Sequence, residues 1–396
     1  MSGEGTGYDA ARIEVLEGRD AVRKRPGMWV GSTGERGLHQ LVFEVVGRAV
    51  NQVLTTGRSG SVDVTLTSDG GLRVADDGPG SPFEAGGDTG DPGLDALLTG
   101  FPAGPERSDR RHATVGQFTA GLFVANALSS RLTAEVRYEG VSRVQEYVRG
   151  VALAPPAAPG PASGSGTTLT LWPDTEIFET THCSFAVLAE RFRQVAFLNR
   201  GLGISLTDER PADEVRSVRF RFPEGVRDFV AALDAETGAA LQPHVIGFER
   251  EDPRMAGTME VAFLWSGSRE ERILGFVNSR ATPQGGTHVD GFRDGVAAAV
   301  TAYARERRLL TAADPDPGAD RIGVGLTAVV SVKLDRPELL GATRRQLGNA
   351  DVRVRVGDAV REHLDHWFEE RPERAAEAVE RIVRRFRQDC RRFRQD

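Results

Sequence analysis

Lysine and cysteine are both nearly missing from this chain of 396 residues. The two cysteines, Cys183 and Cys390, stand far apart, which excludes a disulfide framework or a cysteine metal cluster and makes a reducing cytoplasm the default compartment. Lys24 and Lys333 are the only lysines, so any mechanism that needs an ammonium group has two candidates. The other basic residues are arginines, and with abundant glycine and alanine this points to a high-GC genome such as an actinomycete's. No apolar run approaches the roughly 20 residues of a membrane span, and MSGEGTGYDA is not a signal peptide. Excess positive charge is missing too: a formal charge of -7 and a pI near 5.7 argue against a protein that mainly coats DNA.

What is present is an ordinary globular composition, 39% hydrophobic and 27% charged, long enough for two domains with separate cores. Residues 12–25 read as a short amphipathic helix ended by Pro26 and Gly27. Over 37–55, Leu38, Leu41, Val42, Val45, Val46, Ala49, Val50 and Val53 recur at helical spacing, so one stripe is buried. SVDVTLTS and GLRVADD alternate around Asp69-Gly70-Gly71, a hairpin signal. Residues 83–116 read as loop-rich, with Gly, Pro and charge but little periodicity. A helix follows at AGLFVANALSS, then strands near 131–137, 142–149 and 167–172, and a helix over 184–198. The periodicity breaks at 208–224, which places a boundary between domains at 1–222 and 223–396. The second half carries strands near 258–265, 272–277 and 326–333, with helices near 288–307 and 351–390. The tail holds RRFRQD twice, seven residues apart, and is expected to be a solvated terminal helix.

Four runs carry a resemblance. YDAARIEVLEGRDAVRKRPGMWVGSTGERGLHQLVFEVV at 8–46, GTTLTLWPD at 166–174, FVNSRATPQGGTHVDGFR at 276–293 and VVSVKLDRPELLGATRRQL at 329–347 resemble the DNA gyrase B family, in its order and across nearly the whole chain. The resemblance implies an α+β architecture: a Bergerat (GHKL) ATPase-type α/β sandwich followed by a ribosomal S5-like transducer domain. It also implies that the chain stops before the metal-binding TOPRIM domain, and so neither cleaves nor passes DNA by itself.

The family's nucleotide motifs match this sequence unevenly. The family's general base corresponds to Glu44, but the histidine that orients it is Gln40 here. The Asp-Asn pair that supplies the magnesium ligand is Gly47-Arg48, and an arginine has no acceptor atom with which to coordinate a metal. Glu44 is open to two readings, an i,i+4 structural partner of Arg48 or a base for new chemistry. Asp76-Asp77-Gly78-Pro79-Gly80 keeps the adenine-recognition pattern, in which Asp76 accepts from the adenine amino group, and Thr167 matches the threonine of that network. An Arg–Glu pair of the family is replaced at both ends, by Pro79 and Gln52. In the phosphate loop, Val115 to Gly121, Gly116 and Gly121 survive while side chains occupy or flank the other glycine positions. The lid lysines correspond to Pro105 and His112, and the γ-phosphate-sensing loop reads Ala342-Thr343-Arg344. The arginine that clamps aminocoumarins corresponds to Val144, and strand alternation is expected to turn the neighbouring Arg143 to the wrong side.

The expectation is therefore a kept fold with lost hydrolysis: ATP and magnesium binding are doubtful and no cofactor is expected. The expected occupant is an apolar or amphipathic small molecule, held by Arg48, Asp76, Gly78, Gly80, Phe101, Phe118 and Thr167, with Gly116, Gly121 and Arg344 as remnants of the phosphate site. Glu44 and Asp76 are the catalytic candidates. Phe123 adds apolar bulk, although buried aromatics more often serve the core. A cofactor-free cyclase is the first functional reading, a decoy or regulator of gyrase B the second, and a residual ATP switch the third. Partners expected are the small molecule, a second copy through the arm around Tyr8, or gyrase B; DNA and membranes are not.

Overall fold

The computed structural model describes residues 18–57, 59–84, 93–100, 110–116, 120–154, 157–211, 214–237, 244–266, 270–312, 314–318, 322–341 and 343–392, with no side chain described beyond Gln388. Tyr8, Phe101, Pro105, Phe118, Thr119 and Ala342 lie outside these residues.

The first unit opens with three helices, α1 (Gly18–Lys24), α2 (Gly27–Val30) and α3 (Glu35–Thr55). All eight apolar positions predicted for the buried stripe of α3 are buried. Each contributes roughly 1.5–3 kcal/mol on leaving water if it is a valine or leucine, so the stripe fixes which face of α3 meets the sheet. The sheet is built from β1 (Gly60–Leu66), β2 (Leu72–Asp76), β3 (Ser129–Tyr138), β4 (Val141–Val148), β5 (Val151–Ala152), β6 (Gly160–Pro161), β7 (Gly166–Pro173), β8 (Leu202–Asp208) and β9 (Arg216–Phe220). Among the described residues its order is β5-β4-β3-β7-β2-β1-β8-β9, with β6 on β4. The β1–β2 hairpin is antiparallel with Leu66 opposite Leu72, turning through Gly70 at φ 84° as the Asp-Gly-Gly signal requires. β1 and β8 run parallel. Two further helices, α4 (Gly93–Thr99) and α5 (Gly121–Ala127), lie between β2 and β3, and α6 (Phe185–Phe197) precedes β8. Ser184 caps α6, its hydroxyl accepting from the Val187 N–H at 3.4 Å.

The second unit contains α7 (Val226–Ala235), β10 (Ile246–Asp252), β11 (Gly257–Trp265), β12 (Arg272–Val277), β13 (Arg280–Ala281), α8 (Thr287–Glu306), β14 (Leu326–Leu334), α9 (Ala350–Glu370) and α10 (Pro372–Arg392). Its sheet runs β10-β11-β14-β12-β13. No helix among the described residues is long and apolar enough to cross a membrane.

Within the loop-rich 83–116 stretch sits α4, with Leu94 and Leu98 buried. The 208–224 stretch contains β9, an edge strand that ends at Phe220 and whose half-buried Val218 and Phe220 alternate with arginine and pack against the first core. The helix expected over 351–390 is two, because the residue before a proline is driven out of helical geometry: Arg371 has φ -133° and ψ 59°. The tail is not simply solvated either. Val379, Ile382, Val383 and Phe386 of α10 enter the second core, and Arg387 donates to the Leu309 carbonyl at 2.8 Å.

Candidate functional site

β2 delivers Asp76 to the edge of the first core, where the side chain is 5% exposed. Its Oδ1 accepts from the backbone N–H of Gly78 at 3.0 Å and of Thr167 at 3.3 Å. Thr167 thus supports the aspartate through its main chain, while the Ser165 hydroxyl ties down the Gly78 carbonyl at 2.8 Å. Glycine is needed here for space. A Cβ at Gly166 (φ 136°) would lie 2.1 Å from the Asp76 carbonyl oxygen, and one at Gly80 (φ 74°) 2.6 Å from that of Arg137. Burial pushes the Asp76 carboxyl up to about 6, against the opposing pull of the Gly78 N–H, the Arg48 charge and the Thr167 N–H. Its Oδ2 accepts no hydrogen bond from any described residue. The wall therefore offers one open carboxyl oxygen to a ligand.

Arg48 faces this wall from α3. Its Nη2 donates to the Ser81 hydroxyl at 2.9 Å, and its guanidinium also donates to the side-chain oxygen of Gln52 one turn along the helix. These bonds hold a half-buried cation where the family's metal ligand would stand. A guanidinium with its donors in this position repels a magnesium ion, so the site does not fit the metal.

Glu44 is committed to the protein itself. Oε1 accepts from Gln40 Nε2 at 2.6 Å, and Oε2 from the N–H groups of Ala120 and Gly121 at 3.0 and 3.2 Å. Gly121 (φ 71°) opens α5, so Glu44 caps the helix terminus where a phosphate would be expected. Gly116 packs so closely below it that a Cβ would lie 2.2 Å from Gln40 Nε2. With these amides engaged, the described part of the loop does not fit a nucleotide phosphate. Phe123 is buried in the core, and Arg344 lies exposed in the turn after Gly341, with φ 49°.

Arg143 overturns an expectation. Val136 pairs with both Arg143 and Thr167, so Arg143 shares the sheet face of Thr167 and Val144 takes the opposite one. Arg143 Nη1 donates to Glu84 Oε1 at 3.3 Å, beyond the glycine motif. Sequence reasoning also missed Arg191. In α6 its Nε and Nη2 donate to the carbonyls of Val115 at 2.6 Å and Thr114 at 2.8 Å, and Nη2 to that of Ser279 in the second unit at 3.3 Å. Thr114 N–H in turn donates to the Asn278 carbonyl at 2.7 Å. Nothing in ERFRQVAF separates this half-buried, carbonyl-bound arginine from Arg193 two residues on.

Comparison with known proteins agrees with this architecture. Residues 33–177 match the family described as histidine kinase-, DNA gyrase B-, and HSP90-like ATPase, and residues 225–395 match DNA gyrase B. The DNA gyrase B protein of Streptomyces coelicolor is 42% identical over 392 residues, covering 95% of this chain and 57% of that protein. The gyrase B protein of Mycobacterium tuberculosis is 37% identical over 406 residues, covering 95% and 59%. The chain thus spans less than two thirds of these relatives. The 43K ATPase domain of Thermus thermophilus gyrase B, solved in complex with an aminocoumarin, superposes with a TM-score of 0.80 at 31% identity, covering 96% of this chain and 98% of that one. The topoisomerase IV ATP-binding domain of Francisella tularensis, in complex with a small-molecule inhibitor, gives 0.76 at 27%, covering 95% and 99%.

Proposed function

We propose, for a chain that belongs to the DNA gyrase B family over its ATPase and transducer regions, that phosphoryl transfer has been given up and the nucleotide pocket kept for another small molecule. One observation carries this reading. Glu44 spends its carboxylate on Gln40 and on the Ala120 and Gly121 amides, while Asp76 still presents an open oxygen. Base and phosphate cradle have closed on each other, and the recognition wall stands.

The activity proposed is cofactor-free cyclisation of an amphipathic polyene, for example an intramolecular [4+2] closure to a decalin. Two carbon–carbon σ bonds form at the expense of two π bonds, and no proton, electron or leaving group is exchanged. Such a step needs neither metal nor base; it needs the substrate held folded, which restricted motion in a shaped pocket supplies. Asp76 and Arg48 would fix the polar end by hydrogen bonds. That a gyrase B ATPase domain has been solved with an aminocoumarin supports an organic occupant for a pocket of this type. The protein would work in the cytoplasm, alone or as a dimer through its N-terminal arm.

A non-catalytic binder, a decoy for a gyrase inhibitor or a regulator of gyrase B, is favoured by the recognition geometry of the wall: Asp76 and Arg48 are both held by hydrogen bonds suited to capture. Incubating the purified chain with linear polyene precursors and following isomer formation by liquid chromatography and mass spectrometry separates the two. Cyclised product, lost in Asp76→Ala, supports the enzyme; capture without conversion supports the binder. Magnesium-dependent binding of a non-hydrolysable ATP analogue by calorimetry would overturn both.

A further inference from the structure

Residues 110–116 form a strap between the two units, and each of its sides is fastened by different groups. On one side lies α3. The Asn51 side chain accepts from the Ala113 N–H at 2.8 Å, and the buried Val115 lies flat on the helix, where a Cβ built on Gly47 would stand 3.5 Å from its own. Gly116 comes so near Gln40 and Glu44 that a Cβ there would lie 2.2 and 2.8 Å from their polar atoms. The other side faces the second unit. Thr114 N–H donates to the Asn278 carbonyl at 2.7 Å, and the Arg191 guanidinium joins the carbonyls of Thr114 and Val115 to that of Ser279. Asn278 and Ser279 make the turn between β12 and β13, both with positive φ, 49° and 64°. Two hydrogen bonds between the Asn278 side chain and the Leu334 main chain, at 2.8 and 3.1 Å, and one from Asn199 to the Ser279 hydroxyl at 3.0 Å hold that turn in place.

At the head of the strap the fastening is electrostatic. The half-buried Arg110 places Nη1 2.7 Å from Glu251 Oε1 of β10, and Nε 3.1 Å from Oδ1 of Asp335, the residue after β14. Asp335 is itself positioned, its N–H donating to the Ala256 carbonyl at 3.0 Å. One guanidinium thus spans two elements of the second unit. Part-exposed ion pairs of this kind are individually weak and are screened by salt. The amide and carbonyl bonds further along the strap respond little to ionic strength. They occupy the strap's own backbone: the N–H of Ala113, both polar groups of Thr114 and the carbonyl of Val115.

We propose that residues 110–116 are a latch that ties α3 and the second unit into one body, with Arg110 as its salt-sensitive fastening. Every partner in it is a group of the chain itself, so the latch closes without a nucleotide phosphate to draw it shut. The end of the pocket where Glu44 caps α5 is thereby held in register with the second sheet. This coupling concerns how the units are joined, and it stands whether or not the pocket takes a polyene.

Hydrogen–deuterium exchange of the full chain, read by mass spectrometry in peptides covering 110–116, 278–285 and the β1–β2 hairpin, tests the latch. In the wild type at low salt the strap should take up deuterium about tenfold or more slower than an unprotected chain. Arg110→Gln, at a part-exposed position where folding is not at stake, should speed uptake about fivefold in the strap and in the 278–285 turn together, leaving the β1–β2 hairpin unchanged. Sodium chloride at about 0.5 M should do the same to the wild type and add little to the variant. Asp335→Asn should reproduce part of the effect in the wild type and add little once Arg110 is gone. Strap uptake at the unprotected rate in the wild type, a change in Arg110→Gln confined to the strap, or equal salt sensitivity of the two proteins overturns the latch.

Discussion

Replacing Asp76 by Asn should make the protein more stable relative to wild type as pH rises. In the folded chain the carboxyl is 5% exposed and pushed from 3.8 up to about 6, chiefly by burial. The native state therefore holds this proton more tightly than the unfolded chain does. The stabilisation from the protonated acid is complete below pH 3.8 and is lost as pH rises through 6. The displacement is worth about 3 kcal/mol once the group is fully ionised. About half of it has already been lost at pH 5, so roughly 1.4 kcal/mol separates pH 5 from pH 8. Asparagine keeps an acceptor for the Gly78 and Thr167 N–H groups and cannot ionise. Urea unfolding of wild type and Asp76→Asn at both pH values gives the difference of differences, in which all other titrating groups cancel. The variant should gain on the wild type by about 1.4 kcal/mol from pH 5 to pH 8. A pH-independent difference, or a gain in the opposite direction, refutes the assignment of a buried, ionisable wall. The same ionisation governs recognition: a ligand that donates a hydrogen bond to Oδ2 should bind more tightly above pH 6 than below it.

Other outcomes follow from the same structure. Glu44→Ala removes the acceptor of the Ala120 and Gly121 amides and should cost about 2 kcal/mol in urea unfolding, while phosphate release from ATP, measured for wild type and variant alike, should stay at the protein-free background in both. Lys333→Ala should destabilise by about 3 kcal/mol, because the buried ammonium bonds Asn199 Oδ1 at 3.0 Å and compensates Glu260, whose carboxyl burial pushes up; a loss below 1 kcal/mol in urea melts would deny the lysine this role. Burial pushes the Cys183 thiol up to about 12, so iodoacetamide at pH 8 should leave it unmodified in the folded protein and label it fully in urea, as peptide mass mapping would show.

The stripe of α3, the Asp-Gly-Gly hairpin and the strand cores were legible because each is written in local periodicity: 3.6 residues for a buried helix face, 2 for a strand, positive φ for a turn. The sequence also supplied the family, through long runs in a fixed order, and placed at Arg48 a guanidinium that no fold turns into a metal ligand. It failed at β9, whose alternating Val218 and Phe220 read as part of a break in periodicity, and at the break between α9 and α10 only for want of weighing Pro372.

What one dimension did not contain was partnership. Glu44 reads as a base or as an ion-pair partner of Arg48, and only the approach of α5 shows that its carboxylate caps a helix. Alternation along β4 separates Arg143 from Val144, but which of them shares a face with Thr167 depends on the register across β3. Arg191 looks like any surface arginine until folding brings three carbonyls against its guanidinium. Periodicity is a property of neighbours along the chain, whereas desolvation and charge balance depend on what the fold brings up against a side chain.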